Sequence, residues 1–174
     1  MESLNYLENN ARDITVLYVD DEHQLLEETK QLLEKIFDVV DIAHNGAEGL
    51  ELYRVKGHDI VITDIKMPVM DGVDMIRQIQ EIKDDQLILV TSAYDFSDNL
   101  HPFLKHDVTL FLSKPILLNE LLDALVSLVR QVKQHYHNDS HPALAEEVAA
   151  LRRDVSRLRE EVASLKDLMN LPPL

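Results

Sequence analysis

Five short apolar runs punctuate the chain: Ile14–Val19, Val39–Ala43, Ile60–Thr63, Leu87–Thr91 and Leu110–Leu112. Each is rich in β-branched residues or leucine and is continuous instead of alternating, the pattern of parallel strands buried on both faces. Helical spacing fills the intervals. Leu25, Leu26, Thr29, Leu32, Leu33 and Ile36 form one apolar stripe, and Val73, Ile76 and Ile79 form another after the turn Met70-Asp71-Gly72. A last helix is predicted from about Leu117 to His137, with Leu121, Leu125, Leu128 and Val132 on one face. Strands alternating with helices of this length predict βαβ units, hence an α/β fold with an open parallel sheet covered on both sides. Right-handed crossovers gather every strand C-terminus at one edge, where ligand chemistry in such sheets resides.

The last helix meets the polar run Asn138-Asp139-Ser140-His141-Pro142, whose proline cannot continue it. Beyond that run the composition shifts to Ala, Arg, Glu, Leu and Val. The expected organisation is an N-terminal extension (1–12), a globular domain (13–137), a linker (138–142), a helical segment (143–170) and a tail (171–174).

In the helical segment the apolar positions are Leu144, Val148, Leu151, Val155, Leu158, Val162, Leu165 and Met169, spaced alternately by four and three. With valines at a and leucines at d this is a heptad seam, and β-branched a with leucine d favours two parallel strands. Glu147, Asp154 and Glu161 occupy g, while Arg152, Arg159 and Lys166 occupy e. A parallel in-register homodimer sets each g acid against an e base, whereas an antiparallel pair would set the e bases against one another. A single helix folded back on the globular domain would show a wider, less regular stripe.

Charge narrows the partners. The formal net charge is −15, and nearly all of it lies before residue 140. Nucleic-acid phosphates and anionic lipid would repel such a domain, so neither direct nucleic-acid binding nor membrane binding is expected. No run approaches about 18 apolar residues, and MESLNYLENNARD lacks a signal-peptide core. There are no cysteines, which removes disulfides, thiolate catalysis and cysteine-based zinc sites. A cytoplasmic location is expected.

The strand edge carries a specific set of groups. Asp20 and Asp21 follow the first strand, Asp64 ends the third, Thr91 and Ser92 end the fourth, and Lys114 follows the fifth. Carboxylates brought within hydrogen-bonding range repel and require a cation. An all-oxygen donor set with open positions suits Mg²⁺. Lysine and a hydroxyl beside it complete a site for a phosphoryl group on a carboxylate nucleophile. Asp20 and Asp21 could instead cap the following helix, and Lys114 could be a surface lysine.

These residues carry a resemblance to the receiver domain of two-component response regulators, the flavodoxin-like fold also used by the chemotaxis regulator. Val19-Asp20-Asp21 resembles the family's acidic pair, and Asp64-Ile65-Lys66-Met67-Pro68-Val69-Met70-Asp71-Gly72 its phosphoacceptor motif. Ser92-Ala93 is similar to its hydroxyl-plus-small-residue signature, Lys114-Pro115 to its lysine followed by a usually cis proline, and Asn45-Gly46 also fits. The resemblance spans roughly 13–130. It implies a doubly wound five-stranded (β/α)5 sheet, here followed by the coiled coil.

The resemblance further implies the roles. Asp64 is the nucleophile that accepts a phosphoryl group from a histidine kinase or phosphotransfer protein. Asp21, Asp64 and the main-chain carbonyl of Lys66 hold Mg²⁺, with Asp20 reaching it directly or through water. Lys114 contacts a phosphoryl oxygen, a hydroxyl moves toward the phosphate, and Phe111 rotates inward as the switch. Thr91 and Ser92 compete for the hydroxyl role; the motif favours Ser92. Lys66 lies near the path of an attacking water, so its charge is expected to tune the lifetime of the aspartyl phosphate.

Two features depart from the family pattern. Pro102 falls inside the expected fourth helix, and His106-Asp107 replace a glycine common before the fifth strand. Both lie on the face many receivers use for partner binding, so the usual use of that face is not expected. No enzymatic turnover of external substrates is expected either. Phosphatases with an aspartate nucleophile of the haloacid-dehalogenase type need a second Asp two residues on, where this chain has Lys66. Only Mg²⁺-dependent self-phosphorylation and slow autodephosphorylation remain. The expected output is contact with an unidentified downstream protein as a coiled-coil dimer. The alternative is a receiver-plus-linker piece of a larger regulator whose output domain, a nucleotide cyclase or a DNA-binding unit, is absent.

Overall fold

The computed structural model describes residues 2–93, 108–138, 151, 154, 155 and 157. Pro102, His106 and Asp107, with Leu144, Val148, Leu158, Val162, Leu165 and Met169 of the seam, lie outside the described residues. The elements in chain order are α1 (Glu2–Asn10), β1 (Thr15–Val19), α2 (His23–Leu33), β2 (Val39–Ala43), α3 (Gly46–Lys56), β3 (Ile60–Asp64), α4 (Gly72–Ile82), β4 (Leu87–Ser92), β5 (Leu110–Ser113) and α5 (Leu118–Asn138).

All five strands are parallel, in the order β2-β1-β3-β4-β5. β1, β3 and β4 are buried along nearly their whole length, as their continuous apolar runs require. The edge strands β2 and β5 are half-buried. Alternation divides the core into two layers. Leu17, Val19, Val61, Ile88 and Val90 meet Leu50 and Tyr53 of α3 and Met75, Ile76 and Ile79 of α4. Tyr18 and Ile62 point the other way, where Leu25 and Leu32 of α2 and Leu121 of α5 share a cavity wall with them. The predicted stripe residues Leu26, Leu33, Ile36, Leu125, Leu128 and Val132 are all buried.

Local chemistry starts the helices. Asn45 caps α3 by accepting from Glu48 N at 3.0 Å, and the Glu48 carboxylate takes His44 N in return. Asp71 caps α4 by accepting from Asp74 N at 2.8 Å.

The N-terminal extension is itself structured. α1 buries Leu7, and Ala11 after it is also buried. Ser3 Oγ donates to Asp123 of α5 at 2.7 Å, and the Arg130 guanidinium lies 5.0 Å from the Tyr6 ring centre. Lys133 Nζ pairs with both oxygens of Asp13. The Leu4, Leu7 and Ala11 spacing is helical, but three positions are too few to separate it from a polar leader.

The chain divides into two units, 1–133 and 134–174. In the second, Leu151, Asp154, Val155 and Arg157 are helical. Leu151 is 60% and Val155 48% exposed. Among the described residues, no helix is long and apolar enough to cross a membrane.

Candidate functional site

In the strand order, β1 is followed on one side by β2 and on the other by β3, so their connections leave in opposite directions and open a crevice at the strand C-termini. Asp20 follows β1 and Asp64 ends β3, so both stand at that crevice. Ligand oxygens of Asp20, Asp21 and Asp64 lie within 4.8 Å of one another. Asp20 is fully buried, Asp64 partly buried and Asp21 exposed.

Lys114 enters from the end of β5. Its Nζ donates to Asp20 Oδ2 and to Asp64 Oδ2, each at 2.8 Å. Burial opposes its charge, but the hydrogen bonds and fields of the two carboxylates outweigh that and hold its pKa above the ordinary lysine value. The Lys114 amide donates to Ser92 O at 2.7 Å, and the Lys114–Pro115 bond is cis. Asp64 Oδ1 accepts from Ile65 N. Asp20 Oδ1 accepts from Glu22 N at 3.0 Å, the residue that opens α2. Asp20 thus performs part of the capping duty as well as facing Lys114.

The loop from Asp64 to Gly72 is folded tightly against the Asp64 backbone. Gly72 N donates to Ile65 O at 2.7 Å, and a Cβ on Gly72 would collide with Asp64 O. Gly46 supports the loop from below: its N–H donates to Met70 O at 3.0 Å, where a Cβ would also collide. Lys66 is exposed within this loop.

Strand alternation separates the two hydroxyl candidates. Thr91, the register partner of Asp64, is buried and directs its hydroxyl to Thr63 O at 3.4 Å. It lines a cavity of about 660 Å³ together with Tyr18, Ile62 and Lys114. Ser92 is buried on the opposite side of β4. Phe111, in register with Val90, is half-buried against the α3–α4 layer.

The model of the family described as "Response regulator receiver domain" matches residues 16–126. The chain belongs to the response regulator receiver family. Response regulator MprA of Mycobacterium sp. (strain KMS) is 31% identical over 169 residues, covering 91% of this chain and 73% of that protein. Among solved structures, a receiver domain protein of Clostridium thermocellum superposes with a TM-score of 0.64 at 29% identity, over 70% of this chain and 98% of that one. Response regulator TrrA of Thermotoga maritima, in complex with Mg²⁺ and BeF, superposes with a TM-score of 0.59 at 29% identity, over 66% of this chain and 98% of that one.

The five-stranded parallel sheet with flanking helices is accordingly the flavodoxin-like fold expected of a receiver. Receivers are signalling domains of two-component systems, not enzymes with external substrates, and they interact with histidine kinases and phosphotransfer proteins. They generally bind Mg²⁺ at their acidic pocket, and the clustered carboxylates of this receiver fit that ion: all donors are oxygens and Asp21 is open to solvent.

One contact was not legible in the sequence. Tyr18, inside β1, brings its hydroxyl to 3.2 Å from Asp20 Oδ2. Burial, then the neighbouring Asp20, push its pKa far above the ordinary tyrosine value, so the phenol keeps its proton.

Proposed function

We propose that this receiver is a phosphorylation switch in which Asp64 is the phosphoacceptor. The observation that carries this reading is Lys114 Nζ at 2.8 Å from both Asp20 and Asp64, beside an acid cluster at the strand edge. An Asp64 carboxylate oxygen attacks the phosphorus of a phosphohistidine on a kinase or phosphotransfer protein. The new P–O bond forms as the P–N bond breaks, and the electron pair returns to the imidazole nitrogen, which takes up a proton.

Asp21, Asp64 and the Lys66 carbonyl would hold Mg²⁺, with Asp20 contributing directly or through water; bound there, the ion neutralises charge on the transferring phosphoryl oxygens. Lys114 moves its hydrogen bond to a phosphoryl oxygen. Ser92 takes the hydroxyl role, supported by the small Ala93 that follows it as in the family's hydroxyl-plus-small-residue signature. Phe111 turns inward as the phosphate is sensed. The receiver spans 13–137, the linker 138–142, and the helical segment 143–170 pairs with a second copy as a parallel coiled coil that presents the dimer to a downstream protein. The exposed Leu151 and Val155 support that pairing.

The test treats the chain with a small phosphodonor and Mg²⁺ and follows intact mass and native oligomer size. One phosphoryl group on wild type and none on Asp64→Ala is expected. An unmodified wild type removes the Asp64 reading, and a monomer at micromolar concentration removes the dimer. A second reading joins the receiver to a nucleotide cyclase or DNA-binding output domain; it is favoured by the greater length of the MprA relatives, of which this chain covers 73%.

A further inference from the structure

Tyr18 is the polar exception among the buried residues of β1. Val16, Leu17 and Val19 are buried apolar residues, and Tyr18 is equally buried although it carries a hydroxyl. Core packing alone would be met by phenylalanine, so the hydroxyl calls for its own explanation. It lies 3.2 Å from Asp20 Oδ2, and Thr29 of α2 lines the same cavity.

Asp20 is 0% exposed, and a carboxylate buried to that degree needs donors on both oxygens. Oδ1 takes Glu22 N at 3.0 Å, and Oδ2 takes Lys114 Nζ at 2.8 Å together with the Tyr18 hydroxyl. Of the two donors on Oδ2, lysine is the mobile one. It is shared with Asp64 at the same distance and, in the proposed function, transfers to the phosphoryl group. Once it leaves, Tyr18 is the side-chain donor that stays with Oδ2. A phenol is suited to this, because its ring is fixed in the core and it brings no charge that would repel a cation.

We propose that Tyr18 is a positioning residue: its hydroxyl holds Asp20 in place so that Lys114 can pass to the phosphoryl group while the buried acid stays turned toward the metal. The inference rests on the acidic edge being the Mg²⁺ site. Groups that orient metal-binding side chains from behind commonly change metal affinity by about 10–100-fold when removed. The hydroxyl's contribution is largest when Lys114 has been drawn away.

The experiment uses the full chain and measures Mg²⁺ binding by calorimetry, with and without beryllofluoride as a phosphoryl stand-in, alongside thermal unfolding in chelator. Tyr18→Phe is expected to raise the Kd for Mg²⁺ about tenfold, with a larger factor when beryllofluoride is present. Tyr18→Met, a second core side chain without a hydroxyl, is expected to give a rise in the same direction. Wild type that binds Mg²⁺ while both variants bind it equally well overturns the role of Tyr18 and leaves the Mg²⁺ site standing. A lowered unfolding temperature with unchanged Kd also overturns it, since that is a purely structural tyrosine. Wild type that gives the same null titration as Asp64→Ala removes the Mg²⁺ reading, and this inference with it. If Tyr18→Phe does not fold, an unchanged Kd in Tyr18→Met is sufficient to reject the proposal.

Discussion

Lys114 Nζ lies 2.8 Å from Asp64 Oδ2, although the two residues are 50 positions apart. The same ammonium neutralises the fully buried Asp20, so its removal leaves two carboxylates facing one another in a partly dry crevice. Lys114→Met should lower folding stability by about 3 kcal/mol in chelator, as expected when one member of a buried pair is lost. Millimolar Mg²⁺ should restore part of this by binding the folded state. Urea denaturation with and without the ion measures both; a variant as stable as wild type in chelator would show that the pair is energetically idle.

Gly72 has no space for a side chain. Its Cβ would overlap the carbonyl oxygen of Asp64, a backbone atom that cannot rotate away. Gly72→Ala should therefore displace the loop that follows Asp64 and cost roughly 3 kcal/mol or more. Denaturant midpoints report the cost, and the amide shift of Asp64 reports the displacement.

Val69 sits in the same loop with φ of +70° and is 86% exposed. A β-branched residue in the left-handed region is strained, and an exposed one gains no packing in return. Val69→Gly should stabilise the protein by about 1 kcal/mol, relief of strain outweighing the added freedom of the unfolded chain. Thermal unfolding decides the sign.

His58 and Asp41 give the fold a pH dependence remote from the acidic edge. His58 is buried with Nε2 2.9 Å from Asp41 Oδ2, and among the described residues its Nδ1 has no hydrogen-bond partner. Burial holds its pKa below the ordinary histidine value, an effect the contact with Asp41 only partly offsets. The unfolded chain takes up this proton near pH 6.5 or so, while the folded one resists it. Stability is then complete above that pH and falls as pH drops toward the folded pKa. Burial alone would raise Asp41, but hydrogen bonds from Lys56 and His58 hold it below the ordinary carboxylate value. Its contribution is present above the unfolded carboxylate pKa and is lost at still lower pH. His58→Gln should flatten the decline in urea midpoint between roughly pH 7 and 5, leaving the acid limb.

Lys66 projects into solvent two residues after Asp64. On the proposed function its charge stabilises the negative charge that develops as water attacks the aspartyl phosphate. Lys66→Ala should slow dephosphorylation roughly threefold. The decay of the phosphorylated mass species measures it, and equal rates would exclude a role for the charge.

Much of the architecture was visible in the order of residues because its causes are local. A strand buried on both faces must be continuously apolar, and a helix on the sheet must be apolar every third or fourth position. Hence the runs at 39–43 and 60–63 fall on strands, and the stripes from Leu25 and Leu121 fall on helices, although the first stripe runs to Ile36, which lies past the end of α2 and is nonetheless buried. Asp20, Asp64 and Lys114 were legible as a group for the same reason. Parallel connectivity brings successive strand ends to one edge, so strand-terminal position is enough to place them together.

Tertiary structure decided what depends on distance through space. That Asp20 is buried while Asp21 is exposed follows from which carboxylate turns inward beneath Lys114, 94 residues away. The engagement of Thr91 with Thr63, the clasp of α1 on Asp123 and Arg130, and the pairing of His58 with Asp41 all join segments that no periodicity links. Tyr18 shows the division within one residue. Its place in an apolar run made it a core side chain in the sequence, and only the approach of Asp20 gave its hydroxyl a partner, because a buried polar group must find one wherever the fold supplies it.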